Sequence, residues 1–385
     1  MDCKKVRKDE NTRKAFLELV KAGLFPIINS RFMFNGSIAW EAVYQLAEQQ
    51  GVVGLVAAGI EALNHNNNAN FKVPQTMALT FAGSTLQMEQ RNKAMNQFIA
   101  ELVEKMRAAD IYTLLVKGQG IAQCYEKPLW RACGDVDLFL SDDNYENAKS
   151  FLMPMASCVE KEYEREKHFG MTIDGWVVEL HGRLYSGLSS KIEKELDDVL
   201  SDTFYRGTIR SWNNNGVQVF LLGVENDVFY VFTHILQHFY KEGVGLRQIC
   251  DWCRLMWTYQ DRMDVQKLEA RIRRAGIMTE WKAFYALASK YLGMPDLVNG
   301  YGIMVHDSRY DKKADRIMEF VLKAGNMGHN RDTTYMKRPY LVRKSISMGR
   351  RVSDIWHHAM IFPMDSLRFS FAIMYNGVRS AIRGE

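Results

Sequence analysis

The sequence predicts an α+β protein, with a small mixed sheet flanked by helical N- and C-terminal regions. Three observations carry this. Up to about residue 110 apolar residues recur at spacings of three and four, the period of a helix face. From 111 to 220 short apolar runs bounded by glycine take over, and beyond 221 the helical spacing returns. At 385 residues the chain is long for one core, so 1–110, 111–220 and 221–385 are expected as domains. With 47% hydrophobic and 25% charged residues and only seven prolines, disorder and low complexity are excluded as the main theme. No repeat of 20–50 residues is visible.

Taken in order, "TRKAFLELVKAGLF", "SIAWEAVYQLAEQQGVVGLVAAGIEAL" and "LQMEQRNKAMNQFIAELVEKMRAADI" are three helices. Ser37 is placed to cap the second, with Trp40 and Glu41 in its first turn, and the polar "NHNNNANFKVPQ" separates it from the third. "IYTLLVKG" and "GDVDLFLS" are strands, and "DDNYENAKSFLMPM" is a helix that opens on capping residues. "HFGMTIDGWVVELHG" is a hairpin, because Asp174-Gly175 suits a two-residue turn between alternating runs. From "VENDVFYVFTHILQHFYKEG" onward the chain reads as helix. Cys250 and Cys253 fall on one face of "LRQICDWCRLMW". No second pair completes a zinc site, so they are expected in the core.

The charged opening "MDCKKVRKDENTRKAF" lacks the apolar core of a signal peptide. The longest apolar run, "GVVGLVAAGI", stops at Glu61, too short to span a bilayer. Six scattered cysteines suit a reduced compartment, so a cytoplasmic location without a membrane span is expected. The net charge of +5 is uneven: from Arg331 to the end ten Lys/Arg and four acids leave +6. That segment suits an anionic partner such as a nucleotide, RNA or a lipid surface, and equally a solvated basic helix face. The sequence is compatible with a monomer or a dimer.

Chemistry concentrates in "KGQGIAQCYEKPLWRACGDVDLFL", residues 117–140. In a strand Asp135 and Asp137 share one face with Phe139, while Val136, Leu138 and Leu140 share the other. Two carboxylates about 7 Å apart along a strand converge on one hard divalent cation. On "WVVELHG" Val177, Glu179 and His181 alternate onto one face, so Glu179 is the candidate third acid. Such a cluster holds Mg²⁺ or Mn²⁺ beside a triphosphate. Like-charge repulsion between the acids predicts that Asp135→Asn or Asp137→Asn leaves stability level or raises it. Lys117, Gly118, Gln119 and Gly120 form a turn whose backbone N–H groups suit a phosphate, with the start of the next helix behind it. Gly134 stands next to the acids, and Arg131 adds a bidentate cation. His234 and His238, at i, i+4, read as partly buried helix histidines lining the cleft with His181, since no Glu follows the first as a zincin requires. Arg247 and Asp251, also at i, i+4, read first as a helix salt bridge and second as a substrate contact.

"LLVKGQG…RACGDVDLFL" resembles the polymerase-beta-type nucleotidyltransferase superfamily. It is most similar to a branch of uncharacterised bacterial nucleotidyltransferases with the pattern K-G, R-x-x-x-D-x-D, E-x-H. The abortive-infection toxin nucleotidyltransferases share the first two elements. The resemblance extends to "HILQHFYKEGVGLRQICDW". It implies a mixed sheet with helical flanks and Mg²⁺-dependent transfer of a nucleoside monophosphate from NTP to a hydroxyl of a small molecule, protein or RNA. In it Asp135, Asp137 and Glu179 are metal ligands and Gly118 belongs to the nucleotide loop. The superfamily's Gly-Ser turn is replaced here by Lys-Gly, which removes a hydroxyl that touches the triphosphate. A nucleotide-binding regulatory module without catalysis is therefore one alternative; a toxin-like RNA nucleotidyltransferase, supported by the basic C-terminal segment, is the other.

Overall fold

The computed structural model describes residues 3–26, 37–65, 72–297, 302–326, 342 and 353–383. Helices α1 (Cys3–Leu24), α2 (Trp40–Gln50), α3 (Val53–His65) and α4 (Gln75–Ala108) lead into the sheet. The expected single helix over 37–63 is two, because Gly51 closes α2 in the left-handed conformation, φ 68°. Ser37 is not a cap: α2 begins at Trp40, and Ala39 before it makes no side-chain capping bond. The third helix starts at Gln75 rather than Leu86, directly after Pro74, whose fixed φ suits a helix entrance.

The strands are β1 (Leu114–Val116), β2 (Asp135–Phe139), β3 (Cys158–Val159), β4 (His168–Ile173), β5 (Trp176–His181), β6 (Ile209–Asn214) and β7 (Val217–Leu222). They form one mixed sheet in the order β3-β4-β5-β2-β1-β7-β6. β2 lies at its centre, parallel to β5 and antiparallel to β1. The β4–β5 hairpin turns at Asp174-Gly175, both at positive φ, as expected. A second hairpin, β6–β7, turns in the same way at Asn215-Gly216 and enlarges the sheet beyond the small one anticipated.

Between and after the strands come α5 (Gly118–Ala122), α6 (Asp142–Leu152), α7 (Ser190–Phe204), α8 (Val224–Lys241), α9 (Leu246–Thr258), α10 (Val265–Ala275), α11 (Met278–Leu292) and α12 (Asp311–Ala324). α13 (353–361) and α14 (Pro363–Arg383) follow. Strand alternation divides the core into two layers. Leu114, Val116 and Phe139 join a cluster with α1–α3 and α8–α12, so the N- and C-terminal helices share one core. Leu115, Val136 and Leu138 join a second cluster with α4 and α6. Asp137 therefore faces the α8 side, with Phe139.

Cys250 and Cys253 are fully buried free thiols on α9, as core residues should be. Among the described residues no helix is long and apolar enough to cross a membrane. Arg331, Lys337, Arg338, Arg343, Lys344, Arg350 and Arg351 of the basic segment lie outside the described residues.

Candidate active site

The site is built on the middle of the sheet. Parallel register sets Asp137 beside Glu179, Asp135 beside Val177 and Phe139 beside His181. On the other side Val116 pairs with Asp137, so the chain leaving β1 delivers Lys117 to the same carboxylate. Lys117 Nζ lies 2.7 Å from Asp137 Oδ1, and His181 Nε2 lies 2.9 Å from that same oxygen. Glu179 Oε2 sits 3.6 Å from His181 Nε2 and 3.1 Å from His168 Nε2. Lys117, Asp137, His181, Glu179 and His168 thus form a continuous chain of alternating basic and acidic groups across four strands' width.

Their electrostatics separate the acids by role. Asp135 titrates above the ordinary carboxylate range, chiefly because Asp137 is beside it and secondarily through burial, with Lys117 offsetting. Burial would raise Glu179 too, but hydrogen bonds from His168 and His181, with the charge of Lys117, hold it well below the usual range. Burial disfavours charged His181, yet Asp137 and Glu179 outweigh it and raise its pKa. Lys117 is likewise held charged by Asp137 against burial. Glu179 is consequently a poor proton acceptor and Asp135 the better one.

Lys117 adopts φ 56° and ψ −143°, a backbone region that side chains other than glycine rarely enter. Strain of about 1–3 kcal/mol at such a residue persists only where the surroundings fix it. Gly118 follows at φ 41°, and a Cβ there would stand 3.2 Å from Cys133 Sγ. The rest of the turn points elsewhere. Gln119 is buried and donates to Asn92 Oδ1 at 2.8 Å, tying α5 to α4. Gly120 admits Leu221, whose Cδ2 would lie 2.8 Å from an added Cβ. Gly134 is exposed, with open space where a side chain would stand. Of the four turn residues, Lys117 reaches a carboxylate, Gly118 lies against Cys133 and the Asp135 backbone, and Gln119 and Gly120 serve packing.

Arg131 is not free for a phosphate. Its Nε and Nη2 grip Asp251 at 3.1 and 2.6 Å, and Tyr125 Oη donates to Asp251 Oδ1 at 2.8 Å. The expected Arg247–Asp251 helix pair is therefore replaced by a tie between elements: Arg247 Nη1 donates to the Ala132 carbonyl at 3.0 Å. Arg254 extends the pattern, reaching the carbonyls of Cys124 and Leu24. The i, i+4, i+7 face of α9 thus clamps the loop that leads from α5 to Asp135.

α8 covers the carboxylate face. His234 Nε2 is 3.0 Å from His238 Nε2, and the two rings meet edge-on. Burial first, then the charges of Lys117, His238 and His181, hold His234 well below an ordinary histidine, so it is neutral beside the site. Tyr230, one turn earlier, is pushed up to about 12 by burial, with Lys117 opposing. His234 lies near enough to feel the charges of Lys117, His181 and Glu179, and His238 stands a turn beyond it.

Two donor sets overlap here. Asp135, Asp137 and Glu179 supply hard oxygens whose mutual repulsion, visible in Asp135, a divalent cation would relieve. His168, Glu179 and His181 present ligand atoms within 4.8 Å of one another. His168, Tyr230 and Tyr125 were not singled out from the sequence. Counting back from the Asp174-Gly175 turn pairs His168 with His181 and would have found the first. The two tyrosines had no local signal.

No curated protein matches the chain. A crystal structure of an antigenic nucleotidyltransferase-like protein from Paracoccidioides brasiliensis is similar over 52% of this chain and 92% of that one. It shares 15% identity at a TM-score of 0.31, a likeness that carries no argument about the site. A family model described as uncharacterised nucleotidyltransferase matches residues 36–293, which spans α2 through α11 and the whole sheet. The chain belongs to that family of uncharacterised nucleotidyltransferases.

Proposed function

We propose that the protein transfers a nucleoside monophosphate from an NTP to a hydroxyl acceptor, with Mg²⁺ or Mn²⁺. The observation that carries this reading is the register of β2 and β5, which sets Asp137 beside Glu179 on the face that also holds Asp135 and Lys117. Asp135, Asp137 and Glu179 would hold the divalent cation, which when bound neutralises the phosphates and the departing pyrophosphate. In the transfer the acceptor oxygen forms a bond to the α-phosphorus, the bond from that phosphorus to the bridging oxygen breaks, and pyrophosphate leaves. The acceptor's proton passes to a carboxylate of the site or to water. Lys117 supplies fixed positive charge where phosphate oxygens would arrive. Neutral His234 and the Tyr230 hydroxyl offer uncharged polar groups on the opposite wall.

A second reading, a nucleotide-binding module without catalysis, is favoured by one observation. Lys117 already neutralises Asp137 from a strained backbone, in a turn without the hydroxyl of the superfamily's Gly-Ser turn. Incubating the full chain with α-labelled NTP, Mg²⁺ and separate RNA, protein and metabolite fractions divides the readings. Transfer predicts released pyrophosphate and fixed label in one fraction, both lost in Asp135→Asn. Mg²⁺-dependent NTP binding with no pyrophosphate in any fraction would favour the module.

A further inference from the structure

His168, Glu179 and His181 lie on the β4–β5 hairpin, and nothing in the transfer reaction calls for two imidazoles around one carboxylate. We propose that these three residues form a separate site for a borderline transition-metal ion, Zn²⁺ or Co²⁺, which shares Glu179 with the carboxylate set. Hairpin register carries the geometry: His168 is directly opposite His181, and Glu179 is opposite Gly170, where the Glu160 carboxylate takes the space a side chain would fill. A tetrahedral ion with bonds of ~2.0–2.1 Å holds its ligand atoms roughly 3.3 Å apart. Here His168 Nε2 and Glu179 Oε2 are 3.1 Å apart, His181 Nε2 and Glu179 Oε2 are 3.6 Å apart, and all three atoms fall within 4.8 Å. The donors therefore need only small adjustments to receive an ion. Their side chains remain 12 to 27% exposed, so solvent reaches them.

The donor chemistry selects the metal. Two imidazoles and one carboxylate suit Zn²⁺, Co²⁺ and Ni²⁺, whereas Mg²⁺ prefers oxygen alone. Three protein ligands leave a fourth position open to water. Occupancy draws His181 away from Asp137 Oδ1, which it now meets at 2.9 Å, and takes Glu179 from the oxygen set. Zn²⁺ should therefore inhibit Mg²⁺-dependent transfer, a consequence that rests on the reading above, while binding itself does not.

The test uses the tag-free full chain. Zn²⁺ calorimetry and the visible absorption of added Co²⁺ are measured on wild type, His168→Ala, His168→Gln and Asp135→Asn. One equivalent is expected in wild type, with intense bands from four-coordinate Co²⁺. Affinity should fall at least tenfold in both His168 variants and stay within threefold in Asp135→Asn. His168→Gln keeps a polar partner for Glu179 and guards against misfolding, which circular dichroism checks. No binding in wild type, or equal binding in folded His168→Gln, would overturn the proposal. If Zn²⁺ binds as stated and Mg²⁺·NTP does not bind at all, the transfer reading fails while this site stands.

Discussion

Asp135→Asn and Asp137→Asn should move stability in opposite directions, although both remove one carboxylate charge from the same strand face. Asp137 is 2% exposed, and its Oδ1 meets both Lys117 Nζ at 2.7 Å and His181 Nε2 at 2.9 Å. Removing one partner from a buried ion pair costs about 3–5 kcal/mol. In Asp137→Asn the amide would keep the volume and still accept a hydrogen bond, and Lys117 would retain Asp135 and Glu179 nearby, so about 1–3 kcal/mol is expected. Asp135 differs because its raised pKa arises first from Asp137. Two like charges ~7 Å apart at an effective dielectric of ~20 repel by ~2 kcal/mol, much of it offset by attraction to Lys117. Asp135→Asn should therefore be neutral or stabilising by up to about 1 kcal/mol. The raised pKa gives the same sign, since the ionised carboxyl at neutral pH is the form that folding disfavours. The expectation of level or rising stability thus survives for Asp135 and is reversed for Asp137. Urea unfolding of the metal-free chain at pH 7, compared at constant m, measures both. Equal destabilisation by the two variants would refute the assignment of Lys117 to Asp137.

Asp251→Asn should cost about 3–5 kcal/mol by stranding buried Arg131, and Arg131→Met with Asp251→Leu should recover much of that in the same urea assay. Arg131→Lys, which loses the bidentate grip, should lower stability and leave nucleotide affinity unchanged. Lys117→Ala should weaken binding of a non-hydrolysable NTP by about 1–3 kcal/mol; unchanged affinity would reduce Lys117 to a structural cation. Glu280, fully buried, has its pKa raised by burial and then by Asp365 to about 8. Protonated Glu280 is the folded form, so its contribution is complete below about 4.5 and is lost as pH rises toward 8. Glu280→Gln should therefore gain on wild type by up to about 1.4 kcal/mol per pH unit across that window, read from urea midpoints. A pH-independent difference would contradict it.

The site's acids were legible because a strand's period is two and the opposite residues are apolar. Asp135 and Asp137 could be placed on one face of their strand and Glu179 and His181 on one face of theirs from alternation, and the parallel pairing of β2 with β5 sets Glu179 beside Asp137. The same reasoning overlooked the Asn215-Gly216 hairpin, whose turn signal follows a run with Ile209, Ser211 and Asn213 exposed and Arg210 and Trp212 only partly buried. Long-range choices were not legible. Arg131 had two partners of equal sequence plausibility, a phosphate and an acid, and only the packing of α9 against the 124–132 loop selects Asp251. Lys117 was placed with the phosphates because its turn contains glycines. The antiparallel β1–β2 register also delivers it to Asp137, a partner for which the turn carried no signal. Likewise Ser37 has a capping side chain, but the first helical turn forms around the buried Trp40, beyond its reach.

The central claim is that the three carboxylates form a divalent-cation site for a nucleotide. Calorimetric titration of a non-hydrolysable NTP, with and without Mg²⁺, on wild type and on Asp135→Asn tests it most directly, because that variant should fold at least as well as wild type. The account predicts tight binding in wild type only with Mg²⁺, and loss of the Mg²⁺-dependent part in Asp135→Asn. Binding of equal strength with and without Mg²⁺, or in both proteins, would contradict it.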